Sequence, residues 1–502
     1  MWCPHAVRPT SLGGAAAAAL FLALVPVYLS WPFGWDQAIF AWIGDVIRDG
    51  GMPFKDAWDV KGPATYYPYA LAGLMFGGGP FGVRLLDLLL ALLGTAVTLQ
   101  LLRRLVEPQV AFIGALCILL NFMALGYWHT AQPDAWVGWL LVGIVLMLTR
   151  EEHASPLTTL GVGALLGIAA LVKPFYAGFL ILPPAAAHLR DAPGKTILLA
   201  SITAGIGFAV VVGACVLFFA YRGALPDLVD GYVIANWESA AARFQRVGTW
   251  HGLKSSPRRT GVLVALTVLA TIGWRDTAGL IRWRLSVLGV AALFAAFAIQ
   301  FQHKYFDYHF QVLFPVLGVM ATFGVSKACS GVLRRPVRVL ALASGGVTAL
   351  LIGAPLMKNW IAWFGYASGQ VSRLDYLREF RTDLPPYSAA EAERVAEYVE
   401  SHTHPQDFVL VWGHPAVNVL ARRRSPSRFV YLGRDVPWQQ RNLAVFLSEL
   451  DAKAPTMVLV RERDIQRLTT RFPAFVGLLH ARYERVGSMA SYAVYRAVDS
   501  TS

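Results

Sequence analysis

Long runs of apolar residues alternate with short polar segments along the first 358 residues of the chain. Each run approaches the roughly 20 residues that an α-helix needs to cross a bilayer. The pattern therefore predicts a polytopic α-helical membrane protein with about 11 transmembrane helices. The predicted helices lie near residues 12–32, 81–102, 109–127, 133–149, 157–172, 174–188, 196–221, 260–274, 284–301, 309–326 and 336–356.

Two loops between these helices are much longer than the others, residues 33–80 and 222–259. The short loops on one side hold most of the basic residues, and loops rich in lysine and arginine stay in the cytoplasm. The two long loops and the C-terminus are therefore predicted to lie outside. The first apolar run meets the bulky Trp31 without a small-residue cleavage site, which favours a retained helix over a signal peptide.

The pattern changes near residue 359, where hydropathy falls and amphipathic helices alternate with short apolar strands. This alternation predicts a small extracytoplasmic α/β domain over residues 359–502, after a transmembrane catalytic module over residues 1–358. The predicted helices of the domain cover residues 388–401, 442–453 and 464–480, and its predicted strands cover residues 408–413, 456–460 and 492–496.

Composition supports the membrane assignment and narrows the partners. The chain is 56% hydrophobic and 15% charged, with a mean hydropathy of +0.49, whereas a soluble domain carries about 25% charged residues. The net charge of +13 comes from short basic clusters between apolar runs, which indicates contact with membrane lipids and not with nucleic acid. Four cysteines, Cys3, Cys117, Cys215 and Cys329, show no spacing typical of a disulfide framework or a zinc site.

The first long loop begins with a segment of helical periodicity. Apolar residues from Ile39 to Ile47 recur at helical spacing, which predicts an amphipathic helix lying on the membrane. Asp36 precedes its first turn, where a carboxylate caps free amide groups. The alternative for Asp36 is a general base, since a carboxylate beside the bilayer accepts a proton from a hydroxyl nucleophile.

The second half of this loop contains a lysine among acids and aromatic residues. Lys61 follows Trp58 and Asp59 and precedes a Gly-Pro turn, and Tyr66 is the first of three tyrosines beyond that turn. An ammonium group near the head-group plane binds phosphate as a compact charge. The alternatives are that Lys61 reaches toward the membrane surface with an apolar stem, or pairs with a nearby aspartate.

These motifs together resemble membrane glycosyltransferases of the GT-C class. Trp35-Asp36-Gln37 at a loop helix, followed by Trp58-Asp59-Val60-Lys61-Gly62-Pro63, looks closest to bacterial relatives of protein O-mannosyltransferases and lipid A aminoarabinose transferases. Gln132-Pro133-Asp134 is similar to their Glu-Pro-Asp signature, and Lys173-Pro174 resembles their lysine at the next outer loop. The segment from Phe301 to His309 resembles their aromatic and histidine motif. The resemblance covers essentially the whole chain.

The resemblance implies an enzyme of the bacterial inner membrane that takes a sugar from a polyprenyl-phosphate donor. The acceptor is a lipid, a glycan or a protein on the extracytoplasmic face, and the transfer inverts the sugar. The catalytic acid of the family maps to Asp36, which we predict to act as the base. Many relatives carry a second acid where this chain has Gln37, so a scheme with two carboxylates is not expected here. No metal ligands are assigned, and a divalent metal stays open as a cofactor.

The remaining candidate residues belong to the predicted outer loops. Lys61 is the first candidate for the donor phosphate, and the reserves are Lys173, Arg243, Arg246, His303 and Lys304. Other candidates for substrate contacts are Asp59, Tyr66, Asp134, Tyr305 and His309. Two alternatives stay open: Asp134 as a helix cap after Pro133, and the two histidines as interfacial hydrogen-bonding or stacking groups.

A transporter or flippase of lipid-linked sugars is the main alternative function. A transporter places charged residues at mid-membrane and has paired, interrupted helices. The candidate charges of this chain cluster at the predicted outer interface, which favours chemistry on a lipid head group. An inactive enzyme-like scaffold is a third possibility, for which Gln37 is the one indication.

Overall fold

The computed structural model of the protein describes residues 11–150, 154–244, 252, 254–383, 386–431 and 441–498. Helices dominate the part of the chain up to residue 367. These helices are α1 (Ser11–Leu29), α2 (Trp35–Arg48), α3 (Tyr67–Phe76), α4 (Pro80–Leu102), α5 (Pro108–Met123), α6 (Pro133–Leu148), α7 (Pro156–Val172), α8 (Leu182–His188), α9 (Gly194–Tyr221), α10 (Leu225–Leu228), α11 (Ala235–Phe244), α12 (Pro257–Trp274), α13 (Gly279–Gln302), α14 (Phe314–Cys329) and α15 (Arg335–Ala367).

Four of the described helices, α4, α9, α13 and α15, are long and apolar enough to cross a membrane. Five further apolar helices are shorter, α1, α5, α6, α7 and α14. These nine helices coincide with nine of the eleven predicted transmembrane runs. The multi-pass membrane class is therefore supported, whereas the count of eleven spans remains a prediction.

The two other predicted runs have different structures. Residues 260–274 form most of α12, an 18-residue helix. The run 174–188 consists of a 3-10 helix over Pro174–Ile181 followed by the short α8. Prolines explain this irregular structure, because Pro174, Pro183 and Pro184 lack the amide hydrogens that an α-helix uses.

The chain folds into two compact units. The first contains Met1–Ser30, Arg84–Phe218 and Arg243–Ile361, and the second contains Trp31–Val83, Phe219–Ala242 and Ala362–Ser502. The last segment of the second unit begins close to the predicted boundary at residue 359. The second unit also contains the whole of the loop 33–80 and part of the loop 222–259, which are distant in sequence.

Small residues let helices of the first unit approach closely. A Cβ atom on Gly163 of α7 would lie 2.0 Å from the carbonyl oxygen of Ala204 of α9, and one on Gly324 of α14 would lie 2.1 Å from the carbonyl oxygen of Leu269 of α12. Close backbone contact through small residues is typical of helices packed in membranes. These glycines therefore fix two helix pairs of this unit.

The C-terminal segment of the second unit forms a mixed α/β fold. A hairpin pairs β1 (Arg381–Asp383) with β2 (Pro386–Ser388). The four-stranded sheet that follows contains, in spatial order, β3 (Val409–Trp412), β4 (Met457–Arg461), β6 (Tyr492–Ala497) and β5 (Tyr483–Met489). Strand β3 is parallel to β4, and the other neighbours are antiparallel. The elements are α16 (Arg373–Arg378), β1 (Arg381–Asp383), β2 (Pro386–Ser388), α17 (Ala389–His402), β3 (Val409–Trp412), α18 (Ala416–Leu420), α19 (Leu443–Ala452), β4 (Met457–Arg461), α20 (Glu462–Arg471), α21 (Pro473–Arg482), β5 (Tyr483–Met489) and β6 (Tyr492–Ala497).

The predicted helix of the first loop is α2, but its apolar face is covered by protein. Residues 37–44 are buried, and the helix packs against α3 and α18. A Cβ atom on Gly44 would lie 2.8 Å from the backbone nitrogen of Ala70 in α3. The interpretation of α2 as a helix lying on the membrane is thus corrected. An apolar stripe indicates that one face of a helix is buried, but it does not show whether lipid or protein covers that face.

Candidate active site

Asp36 and Lys61 lie next to each other in the second unit. Asp36 is in the first turn of α2, where the helix dipole favours a carboxylate. The Lys61 ammonium nitrogen is 3.9 Å from Asp36 Oδ2 and 5.4 Å from the centre of the Phe40 ring. The Asp36 side chain is 23% exposed and that of Lys61 is 10% exposed. The negatively charged carboxylate of Asp36 and the positively charged ammonium group of Lys61 thus lie side by side, and both are partly exposed.

Asp59 has a different environment from Asp36 because it is buried and bound by hydroxyl groups. The Tyr66 hydroxyl lies 3.2 Å from Asp59 Oδ2 and 2.9 Å from the carbonyl oxygen of Lys61. The Tyr431 hydroxyl donates a hydrogen bond to Asp59 Oδ1. Burial, with the charge of Asp59 next to it, raises the pKa of the Tyr66 hydroxyl well above its usual range. Tyr66 therefore stays protonated and acts as a donor.

Lys61 is also held through its main chain. The Lys61 backbone nitrogen is 3.4 Å from Asp59 Oδ2, and the Asn236 side-chain amide donates to the carbonyl oxygen of Val60. Asn236 belongs to α11 in the second long loop. Segments of both long loops thus fix the backbone on which the Lys61 side chain is carried.

Asp134 and Lys173 form a buried ion pair in the first unit. The Lys173 ammonium nitrogen lies 2.7 Å and 2.9 Å from the two carboxylate oxygens of Asp134, and the Tyr176 hydroxyl donates to the same carboxylate. Asp134 is fully buried and Lys173 is 4% exposed. The Asp134 carboxylate thus compensates the charge of Lys173. Because Asp134 bonds to the side chains of Lys173 and Tyr176, it does more than cap α6.

Two further buried charged residues, Arg84 and Asp87 of α4, support the turn before α6, and the sequence analysis did not select them. Asp87 of α4 accepts hydrogen bonds of 2.7 Å from the Ala131 amide and the Trp136 indole. Arg84 donates to Thr130 Oγ1 and to the carbonyl oxygen of Tyr127, each at 2.7 Å. The sequence contained a signal for these residues, since Arg84 and Asp87 stand three positions apart in an apolar run. Charged side chains within a membrane helix are energetically costly unless they have a role.

The segment between α13 and α14 contains four of the candidate residues. His303 ends α13 in the left-handed conformation. His309 Nδ1 is 2.9 Å from the carbonyl oxygen of Lys304, and its ring is 4.2 Å from that of Tyr308. The Tyr305 hydroxyl donates a 2.8 Å hydrogen bond to Gln300. These contacts agree with the hydrogen-bonding part of the alternative for His309, whereas its ring meets that of Tyr308 edge-on and is not stacked.

Arg259, which the sequence analysis did not select, anchors this same segment. It is buried, lies 2.9 Å from Asp307 Oδ1 and donates to the carbonyl oxygen of Tyr305. Two of the reserve candidates cannot be placed in this way: Arg246 lies outside the described residues, and the structure does not describe the side chain of Arg243.

The structure thus gathers the candidates into separate groups within each unit. In the second unit it brings together Asp36, Asp59, Lys61 and Tyr66. In the first unit it pairs Asp134 with Lys173, and separately places His303, Lys304, Tyr305 and His309 on one short segment. The tyrosine at position 431 is an addition from the C-terminal segment, which motif spacing in the loop 33–80 did not indicate.

The fold defines the class of protein that the chain resembles. The sequence matches no protein-family profile, and a comparison with curated proteins finds no relative. Among solved structures, the chain is similar to ArnT from Cupriavidus metallidurans bound to undecaprenyl phosphate, with a TM-score of 0.65 and 14% identity over 98% of this chain and 99% of that one. ArnT in the apo state gives a TM-score of 0.56 at 14% identity over 97% and 98% of the two chains.

The archaeal oligosaccharyltransferase AglB from Archaeoglobus fulgidus, in complex with an inhibitory peptide and a dolichol-phosphate, gives a TM-score of 0.48 at 12% identity over 98% of this chain and 75% of that one. ArnT is a lipid A aminoarabinose transferase of the GT-C class. The ArnT structures therefore confirm, for the fold, the resemblance that the sequence motifs predicted: the chain has a fold similar to theirs.

Proposed function

We propose that the protein is an integral membrane glycosyltransferase that uses a polyprenyl-phosphate sugar as its donor and acts on the extracytoplasmic face of the bacterial inner membrane. The observation that carries the proposal is the pairing of Asp36 with Lys61 at 3.9 Å. The fold supports it, because the structure most like this chain among those compared above holds undecaprenyl phosphate. The acceptor is a lipid, a glycan or a protein.

The proposed reaction is a single displacement. The acceptor hydroxyl oxygen attacks the anomeric carbon of the sugar, and the bond from that carbon to the phosphate oxygen breaks. The hydroxyl proton moves to the Asp36 carboxylate, and the electron pair of the broken bond stays on the polyprenyl phosphate. The configuration at the anomeric carbon inverts because bond formation and bond cleavage occur on opposite faces.

Asp36 suits the base because its carboxylate is partly exposed at the start of a helix. A positioned carboxylate of this kind contributes about 10²- to 10⁴-fold to rate. Lys61 suits the phosphate because its ammonium group stabilises the negative charge that develops on the leaving group. Asp59 is already bound by two tyrosine hydroxyls, so we assign it to holding the loop and not to the substrate.

Lys173 is a weaker candidate for the donor phosphate than Lys61. Its ammonium group is buried and compensated by both oxygens of Asp134. Separating a buried ion pair of this kind costs about 3–5 kcal/mol, which a phosphate ligand would have to replace. Lys61 forms a longer ion pair, with its ammonium nitrogen 3.9 Å from Asp36 Oδ2, and Asp36 is 23% exposed, whereas Asp134 is fully buried.

The function is tested with purified protein, undecaprenyl-phosphate sugars and a panel of lipid, glycan and peptide acceptors. We expect Asp36→Asn to lower the transfer rate at least about 10²-fold. We expect Lys61→Ala to raise the apparent donor dissociation constant by about 10-fold or more, as loss of a hydrogen bond to a charged group does. The control is Asp49→Asn, the same chemical change at the exposed far end of α2.

Equal transfer by wild type and a folded Asp36→Asn variant would remove the base assignment. The transporter alternative is examined in reconstituted vesicles with a labelled lipid-linked sugar. Movement of the lipid across the bilayer without any transfer product, in the presence of every acceptor of the panel, would replace the glycosyltransferase proposal with transport.

A further inference from the structure

The C-terminal segment contacts the first loop immediately before Asp36. The Tyr387 hydroxyl donates a 2.6 Å hydrogen bond to the carbonyl oxygen of Phe33, and both side chains are buried. The Trp35 ring meets the His414 ring edge-on with centroids 4.9 Å apart, and the Tyr387 and His414 rings are 3.9 Å apart. The backbone that enters α2 is therefore fixed just ahead of the candidate base.

The same segment contacts the loop a second time, immediately before Lys61. The Trp58 backbone nitrogen donates a 2.8 Å hydrogen bond to the carbonyl oxygen of Arg428. The Trp58 ring lies 5.5 Å from the Phe429 ring and 6.4 Å from the Tyr431 ring. One main-chain bond and two ring contacts thus attach residues 428–431 to the loop three positions ahead of the lysine.

Asp59 connects Tyr431 with Lys61. One carboxylate oxygen accepts from the Tyr431 hydroxyl, and the other lies within reach of the Tyr66 hydroxyl and the Lys61 amide. Because Asp59 is only 2% exposed, loss of one donor leaves a buried carboxylate oxygen with fewer hydrogen bonds, which a protein structure relaxes to avoid. Movement of Asp59 would displace the backbone of Lys61.

The sheet explains why the first contact lies where it does. His414 follows β3 directly after Gly413, at the carboxyl end of one of two parallel strands. The carboxyl ends of parallel strands are the edge where open α/β sheets bind their ligands. In this chain the Trp35 ring lies against His414 at that edge, so the sheet holds part of its own polypeptide chain there.

We propose that the C-terminal segment acts as a clamp, formed by Tyr387, His414 and Tyr431, that sets the separation between Asp36 and Lys61. The inference rests on the proposed function, in which these two residues serve as base and phosphate ligand. Tyr387 and Tyr431 are positioning residues, since they act through Phe33 and Asp59. The domain is thereby a working part of the active site and not an appendage to the membrane helices.

The two tyrosines act on different partners, so their loss has different consequences. Tyr431→Phe displaces Lys61 and weakens binding of undecaprenyl phosphate by about 3- to 10-fold, the range expected for one hydrogen bond. Tyr387→Phe displaces Asp36 and lowers the turnover rate by a similar factor, with donor affinity unchanged. Misfolding alone would lower the amount of active enzyme and leave donor affinity as in wild type.

The test measures binding of undecaprenyl phosphate to the full-length detergent-solubilised protein, and separately the turnover rate per folded molecule. Tyr398→Phe is the control, since the Tyr398 ring stacks on His402 of the same helix, α17. The expected result is weaker binding for Tyr431→Phe and slower turnover with normal binding for Tyr387→Phe. The clamp is refuted if Tyr431→Phe binds undecaprenyl phosphate as Tyr398→Phe does, or if Tyr387→Phe turns over as fast as Tyr398→Phe.

Lys61→Ala separates failure of the clamp from failure of the proposed function. If Lys61→Ala weakens undecaprenyl-phosphate binding and Tyr431→Phe does not, the phosphate assignment holds and the clamp is wrong. If Lys61→Ala binds like wild type, the phosphate assignment itself is wrong, whatever the tyrosine variants do.

Discussion

Three side chains of the first loop, Asp36, Asp59 and Lys61, are close in sequence, and burial and partners separate their roles. Asp59 is buried between tyrosine hydroxyls, whereas Asp36 is 23% exposed and lies next to an ammonium group. The sequence could select all three because aspartate and lysine beside a membrane span are unusual. It could not rank the aspartates, because one donor to Asp59 lies 372 positions away.

His414 gives the C-terminal domain a specific response to acid. Its ring is 1% exposed, and burial, with Arg461 nearby, holds its pKa well below the usual value. The unfolded chain binds a proton at His414 below about pH 6.5, whereas the folded protein does not. The stability due to neutral His414 is therefore complete above that pH and is lost as the pH falls, by up to about 1.4 kcal/mol per pH unit.

We expect His414→Phe to lose less stability between about pH 7 and pH 5 than wild type does. The phenyl ring keeps the contacts with Trp35 and Tyr387 but loses the 3.0 Å hydrogen bond that His414 Nδ1 accepts from the Ala416 amide, which lowers stability at neutral pH by about 1 kcal/mol. Thermal unfolding in detergent at several pH values measures both effects. Identical acid sensitivity of His414→Phe and wild type would contradict the prediction.

At the scale of elements, periodicity predicted most helices and could not indicate irregular ones. The predicted helix 464–480 is two helices, α20 and α21, because Pro473 lacks the amide hydrogen needed to continue the first. The strand β5 was not predicted, since most of its side chains are exposed and its sequence lacks an alternating apolar pattern. Predicted strands with continuous apolar residues, such as β3 and β4, are fully buried.

The pairing of α2 with α3 depends on Gly44, where the backbones of the two helices come close. A Cβ atom on Gly44 would lie 2.8 Å from the Ala70 nitrogen and 2.9 Å from the Tyr69 carbonyl carbon. Backbone atoms cannot rotate away as a flexible side chain does, so the two helices must separate. The sequence shows the glycine but not the helix that approaches it.

We expect Gly44→Ala to lower the free energy of unfolding by about 1–3 kcal/mol, the usual cost of overpacking. Because α2 carries Asp36, transfer activity should fall as well. Gly79→Ala is the matched control, since a Cβ atom there has no neighbour within 4 Å. Thermal unfolding and transfer assays on both variants provide the measurement. Equal stability of the two variants would show that α2 and α3 are not in close backbone contact.

At the scale of the molecule, the second unit is assembled from three segments that are far apart in sequence. Arg428 shows why no local pattern could reveal this assembly. Its guanidinium group lies 3.1 Å from Asp227 of the second loop and 2.6 Å from Glu449 of α19, and its carbonyl oxygen accepts the hydrogen bond from Trp58 of the first loop. In each of these contacts a charged or polar group meets its partner. The order of charged residues along the chain does not show which residues are partners.

Arg428→Met keeps the backbone bond to Trp58 and removes both ion pairs, whose side chains are 17–27% exposed. We expect it to destabilise the second unit by about 1–3 kcal/mol, as loss of charge-assisted hydrogen bonds at a partly buried site does. Arg424→Met is the matched control: the side chains of Arg424 and its partner Asp49 are 64% and 59% exposed, and such surface pairs are worth about 0–1 kcal/mol.

Salt concentration distinguishes the two variants further, because the Debye length falls from about 10 Å at 0.1 M to about 3 Å at 1 M. Thermal unfolding at both salt concentrations should show a deficit of Arg428→Met that largely persists and an effect of Arg424→Met that disappears. If both variants lost the same stability and recovered it equally in salt, Arg428 would be an ordinary surface arginine, and its ion pairs would not hold the three segments together.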